Sequence, residues 1–234
     1  SILGLTLDYG PFGFMEGYDA GFVCNHSDHN GRYAFNQQPY IGLWNLSCLA
    51  QALLPLSDKE PLKAGLDAYT PMFEGAYRAQ MRSKLGLTQE RHEDEELIGE
   101  FLGLLQGSHA DFTIVFRQLG TFASQPEAKN EHLREHFLER DRFDAWALRY
   151  RERLQVERSR DNERQQAMNR VNPTYVLRNY LAQIAIEKAQ QKDYSEIDRL
   201  LLLLQRPYTE QSGMEGYAAP PPNWGKHLSV SCSS

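Results

Sequence analysis

The sequence predicts a mainly helical protein with a few short strands near its N-terminus. The first 60 residues are rich in glycine and aromatic residues and dense in turn signals, which is typical of loops and short strands. Beyond residue 39, apolar residues recur at helical spacing and continue to do so up to about residue 205. We therefore expect a loop-rich start that leads into a large helical region, and no antiparallel sheet domain of any size.

The composition is that of an ordinary globular chain, with 41% hydrophobic and 24% charged residues. The 31 acidic residues outnumber the 25 basic ones, which argues against a nucleic-acid or anionic membrane partner. The longest apolar run, Leu200–Leu204, is far too short to span a bilayer. Three cysteines are too few for a disulfide scaffold and fit a reducing compartment, so a soluble cytoplasmic protein is expected.

The chain opens with a predicted strand, Ile2–Asp8, in which Leu3, Leu5 and Leu7 share one face. Free chain ends are usually polar and frayed, so an apolar strand directly at Ser1 is unusual. Two interpretations remain: a short terminal strand that pairs with a later one, or the C-terminal piece of a longer protein. The second is favoured.

Helices follow from Pro39 onward. Ile41, Trp44, Leu49 and Leu53 lie at roughly helical spacing and predict a first helix, closed by Pro55. Further helices are predicted at residues 60–86, 89–106, 109–120, 130–139, 141–170, 174–192 and 194–205.

Glycine and proline residues are expected to set the helix boundaries. Gly107 and Gly120 are interpreted as helix ends, and Asn172-Pro173 separates two helices because proline suits a first helical turn. The proline-rich tail, 213–234, has the composition of a linker. Three segments are expected: 1–56, 57–212 and 213–234.

Asp8 is the first candidate site residue, because it ends an apolar strand and is followed by a glycine-rich turn. A carboxylate in that position can ligate a hard cation such as Mg²⁺, which in turn holds polyphosphate oxygens. Aspartate and glycine are also the commonest turn residues, and on spacing alone an ordinary turn is favoured.

A second candidate is the run from Cys24 to His29, which offers a thiol, two imidazoles and the Asp28 carboxylate. Structural zinc usually requires a second cluster at a distance, and this chain has no other cysteine or histidine pair with that spacing. A Cys-His nucleophile pair is also conceivable, but no orienting group is evident. A hydrogen-bonded loop is favoured over both.

The arginine-rich stretch 140–170 carries interleaved acids and is interpreted as a solvated helix with ion pairs, rather than a phosphate or nucleic-acid face. The run Glu93–Glu96 is expected to start a helix, where the helix dipole favours acids.

The apolar stripe of Trp44, Leu49 and Leu53 is expected to be core, as is Leu200–Leu204. Phenylalanines 12, 14, 22 and 35 are also expected to pack. Cys48 is expected to be a small buried hydrophobe. Cys232 is expected to be accessible, which leaves Cys24 and Cys232 for redox chemistry.

Several motifs together resemble the selenoprotein O family, also called the YdiU family. The resemblance runs along the whole chain but covers only about the second half of a family member. It rests on Leu5-Thr6-Leu7-Asp8-Tyr9-Gly10-Pro11-Phe12-Gly13-Phe14, Cys24-Asn25-His26-Ser27-Asp28, Gly31-Arg32-Tyr33, Gln38-Pro39, Trp44-Asn45-Leu46, Asn172-Pro173, Leu177-Arg178-Asn179-Tyr180-Leu181-Ala182 and Cys232-Ser233-Ser234.

This resemblance implies a pseudokinase with a protein-kinase-like C-lobe and a family-specific helical C-terminal extension. It implies transfer of AMP from ATP to Ser, Thr or Tyr hydroxyls of proteins with Mg²⁺. Transfer of UMP with Mn²⁺ and a phosphotransferase are the enzyme alternatives. Asp8 matches the family's metal-binding aspartate and would hold ATP through the metal.

The family's nucleotide lobe and catalytic loop precede residue 1. The resemblance therefore implies that this chain holds no catalytic residue, is inactive alone, and needs the missing N-terminal half as a partner. An alternative from a different functional class is that the isolated fragment is an inert helical interaction module.

Eukaryotic family members carry selenocysteine where Cys232 stands, so the resemblance implies a bacterial source. It also implies a regulatory disulfide between Cys24 and Cys232. His26, Asp28 and Arg32 either order the loop after the metal site or touch substrate, and their spacing does not decide between these roles.

Overall fold

A computed structural model describes residues 13–24 and 27–228 of the chain. Within these ranges the protein is mainly helical, as the sequence predicts, and a single isolated antiparallel bridge joins Gly17 to Asp111. The predicted strand Ile2–Asp8 lies outside the described residues, as do His26 and Cys232.

The α-helices are α1 Gln38–Leu53, α2 Lys59–Lys84, α3 Asp94–Ser108, α4 Phe112–Leu119, α5 Glu131–Arg134, α6 Arg140–Val156, α7 Asp161–Asn169, α8 Asn179–Gln190 and α9 Ser195–Leu204.

Short 3₁₀ turns complete the described secondary structure, at Phe35–Gln37, Glu215–Ala218 and Asn223–His227. In the described ranges no helix is long and apolar enough to cross a membrane.

The helix predicted over 141–170 is in fact two helices. Arg158 has a φ of 55°, and the Ser159 amide donates to the Leu154 carbonyl over 3.0 Å, which closes α6 in a left-handed turn. Such turns usually contain glycine, and this one does not, so the sequence carried no signal for the break. Gly107 is likewise not a helix end: α3 continues to Ser108 and closes at His109, whose φ is 45°. Gly120 does end α4.

The helix predicted from residue 174 begins only at Asn179. Before it, the Thr174 and Tyr175 amides both donate to the Pro207 carbonyl, at 2.8 and 3.2 Å. These bonds hold the non-helical backbone before α8 beside the chain that follows α9. Proline at 173 separates α7 from α8, as predicted, but it does not start the second helix.

The larger core is aromatic and lies between α3, α4 and α6. Phe101 stacks on Trp146 with ring centroids 4.4 Å apart, and Trp146 stacks on Tyr150 at 4.9 Å. The Trp146 indole donates to the Leu97 carbonyl at 2.9 Å, and the Tyr150 hydroxyl donates to the Leu85 carbonyl at 2.5 Å. Both polar atoms of these buried rings are therefore satisfied.

A second core joins α8 and α9 to the tail. Its buried residues are Tyr175, Tyr180, Leu181, Ala185, Leu200 and Leu203. Leu200 and Leu203 are buried as predicted, whereas Leu201 and Leu202 are 57% and 63% exposed, because only one side of α9 faces this core.

The apolar residues of α1 are not core, contrary to expectation. None of its sixteen residues is buried; Trp44 is 52% and Leu49 is 45% exposed, and Cys48 is exposed rather than enclosed. Phe35, just before α1, is also exposed. In the described residues, α1 rests mainly on α2 and has too few neighbours to be covered.

The arginine-rich stretch is only partly solvated. Exposed pairs such as Arg160 with Glu163 occur as expected. Arg153 and Arg164, by contrast, are 7% and 3% exposed. Arg153 binds the carboxylate of Asp94 at 2.6 Å, which places the first acid of α3 in the interior. Helical spacing alone does not show which face of α6 points inward.

Candidate functional site

The segment that follows Asp8 in sequence is hydrogen-bonded to the backbone at the start of α4. We call residues 13–24 the anchored segment. The Tyr18 amide donates to the Ala110 carbonyl at 2.8 Å, and the Phe112 amide donates to the Glu16 carbonyl at 3.1 Å. These bonds lay the segment across the start of α4.

The side chain of Asn179 accepts one hydrogen bond from the backbone of Phe14 and donates another to it. The Phe14 amide donates to Asn179 Oδ1 at 2.9 Å, and Asn179 Nδ2 donates to the Phe14 carbonyl at 3.3 Å. Asn179 is the first residue of α8, so its position is set by that helix. The described chain is therefore fixed to α8 six residues after Asp8.

Arg178 joins the anchored segment to α4 through two carboxylates. Its side chain is 2% exposed and donates to Glu16 and to both oxygens of Asp111. Asp111 also caps α4, since its Oδ1 accepts from the Ile114 amide at 2.8 Å. The buried Arg178 guanidinium therefore pairs with two carboxylates that lie far apart in the sequence.

Burial and the buried arginine act on the Glu16 carboxyl in opposite directions. Burial raises the pKa of the Glu16 carboxyl above its ordinary value, and the facing Arg178 guanidinium opposes that shift. Desolvation lowers the pKa of Arg178, but the charges of Asp111 and Glu16 and the hydrogen bonds to them together outweigh it, so this pKa lies above its ordinary value. The cluster is therefore held together by a permanently charged arginine.

A cavity of about 760 Å³ opens between the anchored segment, the starts of α4 and α8, and the C-terminal tail. Polar groups line it on several sides, among them Glu16, Asp19, Cys24, Asn179 and Lys226. A cavity of this size and mixed polarity has the dimensions of a small-ligand or peptide-side-chain site.

A smaller, more apolar cavity of about 410 Å³ lies on the other side of the anchored segment. Lys84 enters it: its ammonium lies 4.9 and 5.3 Å from the ring centroids of Phe116 and Phe112 and donates to Asn172 Oδ1 at 3.1 Å. Burial lowers the pKa of Lys84 to about 8. The rings and one amide oxygen stabilise the ammonium there, and no carboxylate of residues 13–24 or 27–228 forms a salt bridge with it.

Of the predicted candidates, the structure describes Cys24, Asp28 and Arg32. Cys24 is half-buried and lines both cavities. Asp28 accepts from the Arg32 and Tyr33 amides at 3.0 and 2.7 Å, which gives it a role in ordering its own loop. The Arg32 guanidinium lies 4.4 Å from the Trp44 ring centroid and ties that loop to α1.

The favoured hydrogen-bonded loop is thus present from residue 27 onward. In the described part of the chain, no three His, Cys, Asp or Glu side chains lie together as a metal site. Asp8 itself lies outside the described residues.

Sequence reasoning assigned no role to Glu16, Asp111, Arg178 or Asn179. The sequence contained a signal for Asp111, because an aspartate directly before a helix is a typical N-cap. Glu16 contacts Arg178 across 162 positions of sequence, and Asn179 contacts Phe14 across 165, and no local pattern reports such contacts.

Comparison with known proteins gives a consistent family. A family model described as protein adenylyltransferase SelO matches residues 1–205. The chain is 53% identical to the protein nucleotidyltransferase YdiU of Myxococcus xanthus (strain DK1622), and 53% identical to that of Herminiimonas arsenicoxydans. In both cases the alignment covers the whole chain but only 48% and 47% of the relative. The chain therefore spans about half the length of the curated relatives it matches.

Proposed function

The chain belongs to the SelO family, and from this premise we propose that its intact protein transfers AMP from ATP to Ser, Thr or Tyr hydroxyls of other proteins. The observation that carries the proposal is the family match over residues 1–205, which includes Asp8, the anchored segment and the Arg178–Asn179 pair. In the reaction, the substrate hydroxyl oxygen bonds to the α-phosphorus of ATP and loses its proton, and pyrophosphate leaves with the electron pair of the broken bond.

Asp8 is proposed to hold Mg²⁺, and through it the nucleotide phosphates, with further ligands from the N-terminal half of the intact protein. When bound, the metal would neutralise charge on the phosphate oxygens. The described residues contribute positioning. Asn179 holds the Phe14 backbone and Arg178 holds Glu16, so the anchored segment, which follows Asp8 in sequence, is fixed to α8 and α4.

We further propose that these helices form a kinase-like C-lobe with a helical extension, and that this chain alone does not turn over. The mainly helical structure and the coverage of about half of each relative support this view. A single carboxylate cannot by itself orient a triphosphate and a protein hydroxyl for reaction.

Transfer of UMP with Mn²⁺ is a second candidate. The curated relatives are named protein nucleotidyltransferases, a name that leaves the nucleobase open.

The test uses the intact protein with α-labelled ATP, γ-labelled ATP and α-labelled UTP, each with Mg²⁺ or Mn²⁺, and a protein acceptor pool. We expect label on protein from α-labelled ATP only. The Asp8→Asn variant should lose this labelling, whereas Asp198→Asn, which removes an exposed carboxylate on α9, should retain it. Label from γ-labelled ATP would identify a kinase instead, a preference for UTP would identify the second candidate, and labelling by this chain alone would contradict the need for the other half.

We also propose the Cys24–Cys232 disulfide as a regulatory element. In support, Cys24 and Leu228 line the same 760 Å³ cavity, and Leu228 lies only four residues before Cys232 in the sequence. Glutathione disulfide would accept the two electrons and two protons released as the S–S bond forms. After this treatment, a mass about two units below that of the reduced chain is expected. Two separate glutathione adducts on Cys24 and Cys232 would contradict the pairing.

A further inference from the structure

Helix α1 is apolar on every side. From residue 33 to residue 57 the sequence contains no charged residue, and within α1 the polar side chains are few and scattered. A helix that is hydrophobic all round belongs in the interior of a protein. Yet none of the sixteen residues of α1 is buried, whereas six of the fifteen residues of α3 are.

One side of α1 rests on α2. At Gly42 an added Cβ would lie 2.6 Å from the Tyr69 hydroxyl, so the glycine is what allows this close approach. The Tyr69 hydroxyl donates to the Pro39 carbonyl at 3.1 Å and fixes the start of α1 on α2. This contact accounts for the orientation of α1. The Arg32 guanidinium covers part of the Trp44 ring, and most of the other residues of the helix stay exposed.

The uncovered residues form what we call the α1 surface. Its members are Tyr40, Trp44, Leu46, Leu49, Leu54 and Leu56, with exposed fractions between 39% and 81%. Apolar groups of this size in one short stretch mark a binding surface. The Arg32 cation contacts the Trp44 ring at one edge, but residues 33–57 themselves carry no charge, so the surface suits an apolar occupant rather than an acidic or basic one.

We infer that the α1 surface binds the N-terminal half of the same polypeptide in the intact protein. The curated relatives are about twice as long as this chain, so an equal length of chain is available to cover it. That half is covalently joined to this one, and α1 begins within forty residues of Ser1. A tethered partner has a high effective concentration, which favours it over a second copy of the chain or a lipid surface. The inference depends on family membership and is independent of which nucleotide is transferred.

Cys48, exposed on α1, reports occupancy of this surface. Trypsin separates the three cysteines, because Cys24, Cys48 and Cys232 fall in the peptides 1–32, 33–59 and 227–234. Iodoacetamide labelling followed by peptide mapping therefore measures Cys48 by itself. We expect Cys48 to be alkylated at least about tenfold more slowly in the native intact protein than in this chain, as burial restricts access to a thiol. Equal rates in the two proteins would overturn the inference.

The other occupants are tested on this chain alone. Light scattering gives its oligomeric state, and flotation with phosphatidylcholine vesicles gives its affinity for lipid. We expect a monomer that does not float and whose Cys48 reacts at a rate independent of protein concentration. A dimer or a vesicle complex that protects Cys48 would overturn the inference in favour of that occupant.

Two matched variants separate the α1 surface from other exposed leucines. Leu49→Asp changes α1, and Leu202→Asp changes a leucine of α9 that is 63% exposed. In this chain, both variants should melt within a few degrees of the unsubstituted chain. In the intact protein, Leu49→Asp should lower the melting temperature by at least about 5 °C, because it buries an unpaired carboxylate, and Leu202→Asp should not. Similar melting of both intact variants would contradict the assignment, and an intact Leu49→Asp variant that does not fold while Leu202→Asp does would support it.

Discussion

The buried Arg178 guanidinium donates hydrogen bonds to both carboxylate oxygens of Asp111, at 2.7 and 3.2 Å. Arg178 directly precedes α8 in the smaller core, and Asp111 directly precedes α4 in the larger one. Because the same guanidinium also binds Glu16, this contact joins two cores and the anchored segment.

Removal of the Arg178 charge should destabilise the chain strongly. Arg178→Met keeps much of the side-chain volume but leaves two poorly solvated carboxylates unpaired, so we expect a loss of about 3 kcal/mol in the free energy of unfolding. Urea unfolding monitored by circular dichroism measures it. Arg142→Met breaks the exposed pair with Glu139 and should change stability by less than about 1 kcal/mol. Equal effects of the two substitutions would refute the role given to Arg178.

Asn179 should matter for transfer more than for folding. In the intact protein, Asn179→Ala removes both hydrogen bonds to the Phe14 backbone and loosens the anchored segment. We expect a roughly tenfold or greater fall in kcat with α-labelled ATP, since misplacement of this order is costly to reaction geometry. Gln183→Ala, on the exposed side of the same helix, is the control. Unchanged kcat in Asn179→Ala, with normal folding, would show that the clamp is purely structural.

Gly86 is required both for its backbone conformation and for the space around it. Its φ is 70°, and an added Cβ would lie 2.5 Å from Arg164 Cγ and 2.8 Å from Met168 Sδ. Gly213 has a similar φ of 78° but open space. We expect Gly86→Ala to cost about 2–4 kcal/mol and Gly213→Ala about 1 kcal/mol, because only the first adds overpacking to backbone strain. Denaturation of the two variants side by side separates the two contributions, and equal costs would exclude the steric one.

Lys84 should make stability rise with pH in the alkaline range. Its pKa is about 8 in the folded chain and about 10.5 when unfolded, so the unfolded state binds more protons between these values. The free energy of unfolding of the native chain, relative to Lys84→Met, should therefore increase from pH 8 to about pH 10.5. Lys63→Met, which removes an exposed lysine of the same helix, should give a flat difference. A difference that falls or stays level for Lys84 would contradict the effect of its burial.

Local patterns predicted most of the helices, because the spacing of apolar residues and the positions of proline and glycine act within a few residues. The same patterns failed where a left-handed turn used a residue other than glycine, as at Arg158. They also failed where the backbone is hydrogen-bonded to a distant segment, as in the non-helical stretch before Asn179. The α1 stripe was expected to be core from its composition, and the described residues leave it uncovered.

By itself, the sequence determined the mainly helical class and, through its motifs, the family to which the chain belongs. Only the tertiary structure decided that Arg178 and Asn179 hold the anchored segment, that Arg153 and Arg164 are interior, and that Lys84 enters an apolar cavity. The physical reason is distance along the chain: helix formation is governed by neighbours within a turn, whereas burial and ion pairing depend on residues that meet only when the helices pack.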